Sequence, residues 1–163
     1  MENSVKKIEL LKEDYFILEK KYALPSFHNL NQEFEIEDLA EMETDFLLRS
    51  IRKAILEKIG FFSKFIEILV NPGEGSSLFA FSIAKTLSQE DRKELVKIYE
   101  RISKFQLDSI KRDLSYLEVE EADFIKRIYY FWEEAKKILL STLNVIDSNW
   151  DNKSKKSEKS YFR

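Results

Sequence analysis

The residue types able to do chemistry in this chain are carboxylates, amines, guanidiniums and phenols. Glu37, Glu41 and Asp45 recur every fourth residue. On an α-helix that spacing puts them in one ridge. They lie in a block over 32–48 that also carries Glu33, Glu35, Asp38 and Glu43 and no basic residue. Such a ridge can steer a basic partner or weakly hold a divalent cation. A solvated helix face carries the same residues, with Asp45 and Arg49 as an ordinary i,i+4 pair.

A second constellation is basic. Lys93, Lys97, Arg101 and Lys104 step by four, four and three, so they share one helix face. Collected Lys and Arg on one face are what a phosphate backbone requires. Glu94 and Glu100 flank the stripe, which equally suits a surface laced with ion pairs. Lys153, Lys155, Lys156, Lys159 and Arg163 alternate with serines and end in Tyr161, Phe162 and Arg163. Basic tails with aromatics can contact phosphates and stack on bases.

The third constellation is aromatic. Tyr129, Tyr130, Phe131 and Trp132 stand in a row, so they point in different directions around a helix. Tyr129 and Trp132 fit the core stripe. Tyr130 and Phe131 cannot both join it: either a second helix covers them or they form an exposed patch of the kind found at protein interfaces, and the interface is the reading adopted.

Much chemistry is excluded. The chain has no cysteine, so disulfides, thiolate metal sites and cysteine nucleophiles are absent. Its one histidine, His28, has Pro25 three residues before it, not the glutamate of a carboxylate–histidine centre. The loop at Gly73 and Gly75 has no lysine at phosphate-loop spacing, and Glu74 would repel an anion. No catalytic residue, metal ligand or cofactor site is therefore expected, and the chain is read as a non-enzyme.

The elements that position these groups follow from composition and period. With 163 residues, three glycines, two prolines and 35% charged residues, the chain reads as one all-α domain. The expected helices cover 4–22, 37–69, 78–87, 88 to about 117, and about 119–146. Leu48, Ile51, Ile55, Ile59, Phe62, Ile66 and Leu69 step by three or four through the second of them. Leu95, Ile98, Ile102, Phe105, Ile110 and Leu114 are the corresponding apolar residues of the fourth. Gly60 inside the second helix suggests close helix packing or a bend. Pro72 and Gly73 fit a type II turn, and Ser76 or Ser77 can cap the next helix. A continuous rod through the last two helices would be about 85 Å long at 1.5 Å per residue, so a break is expected near 118–121.

The expected architecture is an antiparallel bundle of four main helices plus one short helix over 1–148. A flexible, disordered basic tail would follow over 149–163. The N-terminus lacks the apolar stretch of a signal peptide, and no apolar run approaches the roughly 20 residues of a membrane span. A cytoplasmic protein without membrane contact is expected. Net charge is 27 minus 30, or −3, too near neutral to name a partner. The leading expectation is a helical interaction module, a scaffold, adaptor or assembly subunit, binding a protein partner or a second copy of itself. It would use Tyr130, Phe131, Glu37, Glu41 and Asp45. The alternative is a nucleic-acid-associated protein using Lys93, Lys97, Arg101, Lys104, Lys153, Lys155 and Lys156.

Overall fold

A computed structural model describes residues 2–42, 44–73 and 78–160, the side chains of Glu2, Asn3, Phe79 and 151–160 excepted. The described residues are all-α, without a strand among them. The elements are α1 (Glu2–Tyr22), α2 (Phe27–Phe34), a 3-10 helix (Ile36–Glu41), α3 (Leu47–Val70), α4 (Leu78–Ala84), α5 (Gln89–Leu114) and α6 (Glu118–Ser160). None of the described helices is long and apolar enough to cross a membrane.

The chain divides into two compact units. The first holds 1–60 and 104–132, the second 61–103 and 133–163. Helices α3, α5 and α6 thus each give one segment to each unit.

In the first unit, α1 ends where Ala23 takes a left-handed backbone (φ 51°) and the Leu24 N–H reaches the Glu19 carbonyl at 3.2 Å. Pro25 follows and prevents the helix from resuming. The sequence over 26–35 reads as a connection with room for one turn of helix, and the structure has two turns there, α2. Ser26 caps it, accepting a hydrogen bond from the Asn29 N–H at 3.2 Å. Leu30 and Phe34, one helical turn apart, are buried. Glu35 ends α2 with a left-handed backbone (φ 55°), its N–H donating to the Asn31 carbonyl at 2.8 Å.

The expected long helix from 37 starts ten residues later. Ile36 and Leu39 are both buried, and a spacing of three suits the 3-10 helix, with three residues per turn. Stacked carboxylates at 37, 41 and 45 would repel one another in an α-helix. Thr44 Oγ1 then accepts from the Phe46 N–H at 3.1 Å at the entry to α3. Along α3 most of the expected stripe is buried: Leu48, Ile51, Ile55 and Ile59 in the first unit, Ile66 and Leu69 in the second, while Phe62 is half-buried.

Gly60 does not mark a close helix contact. A Cβ built there meets only Gln106 Nε2, at 3.9 Å, and α3 runs through it. Nor do Pro72 and Gly73 form a type II turn, since Gly73 does not take the positive φ that turn needs. Gly75, Ser76 and Ser77 lie outside the described residues.

In the second unit, Ser88 and Asp91 form a reciprocal cap for α5. Ser88 Oγ accepts from the Asp91 N–H at 3.1 Å, and Asp91 Oδ2 accepts from the Ser88 N–H at 3.0 Å. On α6, Ala135, Leu139, Thr142 and Ile146 step by four, three and four, and this stripe is buried. The break between α5 and α6 falls at 115–117, three residues before its expected place. Of the expected tail, the side chains of 151–160 and residues 161–163 lie outside the description, including Lys153, Lys155 and Lys156.

Candidate functional site

The largest buried polar group is Arg52 on α3, which is fully enclosed. Its Nε donates to Glu121 Oε2 of α6 at 2.7 Å, and its Nη2 to Glu121 Oε1 at 3.4 Å. Nη2 also donates to Asp113 Oδ1 at 2.6 Å. Nη1 donates to the Ser109 carbonyl at 3.3 Å and to Ser109 Oγ. A guanidinium has five N–H donors in a fixed fork, and these contacts engage all five. Burial opposes the charge and is the largest single influence on it. The hydrogen bonds and charges of Glu121 and Asp113 together outweigh it and hold Arg52 above its ordinary pKa.

A wider ring of charge surrounds this pair within the first unit. Arg49 lies over the rings of Phe46 and Tyr116, 5.4 and 5.0 Å from their centres, and 3.8 Å from Glu121 Oε1. Arg112 reaches Glu120 at 3.1 Å and Asp108 at 3.5 Å. Arg127 bridges Asp108 and Asp123, each at 2.9 Å. Every guanidinium here meets a carboxylate, so the cluster clamps α3, α5 and α6 and leaves Arg52 no N–H for a substrate. Among the described residues, no group of three or more histidines and carboxylates is arranged to share a metal ion.

The aromatic patch is half realised. Tyr130 is 62% exposed, but Phe131 is 3% exposed and therefore not a surface residue. Its ring packs at 5.4 Å from Phe105, which also meets Phe124 edge-on at 5.5 Å. Trp132 beside it is buried and donates its indole N–H to Glu33 at 3.0 Å. Phe105 supplies the second apolar face that the row of aromatics requires.

The acidic ridge is not a helix face. Glu37 and Glu41 sit on the 3-10 helix, and Asp45 lies beyond it in a bend before α3. The Glu37 N–H donates to Asn31 Oδ1 at 2.9 Å. Glu41 is neutralised by Lys7 at 2.7 Å and accepts from Ser4 Oγ at 3.2 Å; the Lys7 contact holds its carboxyl below the usual range. Glu43 lies outside the described residues.

Three of the four basic-stripe residues meet carboxylates. Lys93 approaches Glu90 at 4.0 Å, Lys97 meets Glu94 at 2.6 Å, and Arg101 meets Glu134 at 3.5 Å. Lys104 is exposed.

A surface absent from the expectations lies on the first-unit part of α5. Leu107, Ile110 and Leu114 are 61, 60 and 86% exposed. At i, i+3 and i+7 they share one face, and Ser109 on another face is buried. Ile110 and Leu114 were expected in the core stripe. The signal against that was in the spacing: Leu107 extends their face, and it does not belong with Ile98 and Ile102. Lys104 and Lys111 flank the stripe on one side, both exposed, with no carboxylate paired to either among the described residues.

No protein-family model matches the chain, and no curated protein or solved structure matches it.

Proposed function

We propose that this chain is a non-enzymatic helical interaction module, a scaffold, adaptor or assembly subunit. Its docking face is Leu107, Ile110 and Leu114 of α5. The observation that carries the reading is the exposure of three large aliphatic side chains at i, i+3 and i+7 on one helix. Spacing of this kind is how helix-to-helix recognition is built. Lys104 and Lys111 beside the stripe select the partner's chemistry: an amphipathic helix whose apolar face is bordered by Asp or Glu. The charged rim then sets orientation and on-rate, and the aliphatic stripe supplies the buried area.

The test compares affinity capture by the full chain with capture by an Ile110→Glu/Leu114→Glu variant, each with and without nuclease treatment. The expected result is a defined protein retained by the wild type and lost by a variant that melts like it. Identical retained sets would overturn the reading. Partners that vanish with nuclease would transfer it to nucleic acid.

A further inference from the structure

In the second unit a groove of about 520 Å³ opens beside α6, within the size range of small-ligand sites. Ile83 of α4 and Ile146 of α6 are its buried members. Phe65 of α3 and Leu143 and Trp150 of α6 complete its apolar lining, and Asn144 and Asp147 are its polar groups. Leu143, Ile146, Asp147 and Trp150 stand at i, i+3, i+4 and i+7, on one face of α6. The end of α4 and the residues after it are tied down: Arg92 Nη2 donates to the Ala84 carbonyl at 2.6 Å, and the Asn149 amide donates to the Thr86 carbonyl at 3.3 Å. Asp147 is exposed, and no cation pairs with it among the described residues.

We propose that this groove binds a small organic monocation with an aromatic or alkyl body, of the arylalkylamine class. A primary ammonium has three donors and no acceptor. The Asp147 carboxylate and the Asn144 side-chain carbonyl, three residues apart on one helix, are acceptors for it. Phe65 adds an aromatic ring to the lining, and aromatic faces attract cations. Ile83, Ile146 and Leu143 accommodate the apolar body. A carboxylate ligand would meet the Asp147 charge, and a neutral alcohol would forgo the ion pair. The proposal is independent of the α5 docking face, which belongs to the other unit.

The test titrates the full chain with 2-phenylethylamine, 2-phenylethanol and 3-phenylpropionate. Calorimetry gives affinity, and the Trp150 indole N–H signal in NMR reports the site. The amine is expected to saturate at millimolar concentration, move that signal, and bind at least about tenfold tighter than the alcohol, the size of one charge-assisted hydrogen bond. Asp147→Asn should cost the amine about the same factor and leave the alcohol unchanged. Equal affinities for the three probes, no saturation by the amine, or no effect of Asp147→Asn would each overturn the proposal. A wild-type melting curve for Asp147→Asn confirms that the variant is folded.

Discussion

Arg52 and Glu121 stand 69 residues apart in sequence and share a doubly hydrogen-bonded ion pair, with neither side chain more than 1% exposed. Two charges removed from water are costly, and their attraction recovers that cost only when the geometry is good and the remaining donors are satisfied. Both conditions hold here. Removing one partner strands the other in a dry site. Arg52→Met should therefore destabilise the protein by about 3–5 kcal/mol. The double variant Arg52→Met/Glu121→Leu should recover a large part of that loss, because no buried charge remains. Urea unfolding of the three proteins measures this. A double variant no more stable than Arg52→Met would show that shape complementarity, and not the stranded charge, sets the cost.

The same cluster dictates how stability responds to acid. The Asp113 carboxyl is held below its usual range, first by the Arg52 hydrogen bond and then by the Arg52 charge. At Asp108 burial is the largest single influence and would raise the pKa. The Arg127 hydrogen bond and the charges of Arg112 and Arg127 together outweigh it, so this carboxyl is also held low. A carboxyl with a lower pKa in the folded state stabilises the fold above its unfolded pKa, and that contribution is lost as pH falls through the folded value. The urea midpoint should be flat near neutrality and fall steeply below about pH 4. Asp113→Asn should lower the midpoint at pH 7 and make the acid limb shallower. Parallel limbs for wild type and variant would remove Asp113 from this role.

The sequence was informative wherever a face is buried in a single helical period. Most of the α3 stripe and most of the α6 stripe follow it, because burying aliphatic side chains is the dominant favourable term. It was misleading wherever two neighbours compete for one helix. Phe131 is paired with Tyr130 as the residues that cannot both join the core stripe, yet Phe131 alone is buried, and Phe105 from α5 packs on it. Which helix lies beside which is not written in local periodicity. Ile110 and Leu114 err the other way: they are apolar and four apart, yet they lie off the face of Ile98 and Ile102 and are exposed. Arg52 reads as a surface cation in the sequence, and only Glu121 and Asp113, distant along the chain, make its burial tolerable. The acidic block was legible as charge but not as shape, since Ile36 and Leu39 favour a 3-10 turn there.

Neighbouring aromatics on α6 give a sharp contrast. Phe131 is buried against Phe105, whereas Tyr130 is 62% exposed and meets Tyr129 at 5.6 Å between ring centres. Phe131→Ala should cost about 3–5 kcal/mol, the transfer energy of the ring plus the cavity it leaves. Tyr130→Ala should stay within about 0.5 kcal/mol, as for most surface changes. Thermal unfolding of the two variants decides it. A large loss for Tyr130→Ala would mean that its ring is covered in solution, by a second copy or by another part of the chain.

Two backbone positions hold residues suited to each other's place. Gly60 lies inside α3 without a positive φ, and a Cβ there makes one ordinary contact, with Gln106 Nε2 at 3.9 Å. Glycine in a helix interior is worth about 0.5–1 kcal/mol less than alanine, because it loses more backbone freedom on folding. Ala23 has φ 51° at the end of α1, a left-handed conformation costing an L-residue roughly 1–2 kcal/mol that glycine adopts freely. Gly60→Ala and Ala23→Gly should therefore each raise stability, by about 0.5–1 kcal/mol for the first and about 1 kcal/mol for the second. The sites share no contact, so the double variant should show the sum within about 0.5 kcal/mol. Urea midpoints of the single and double variants test this. A loss on Gly60→Ala would mean that Gln106 cannot yield to the new methyl group, making Gly60 a packing residue after all.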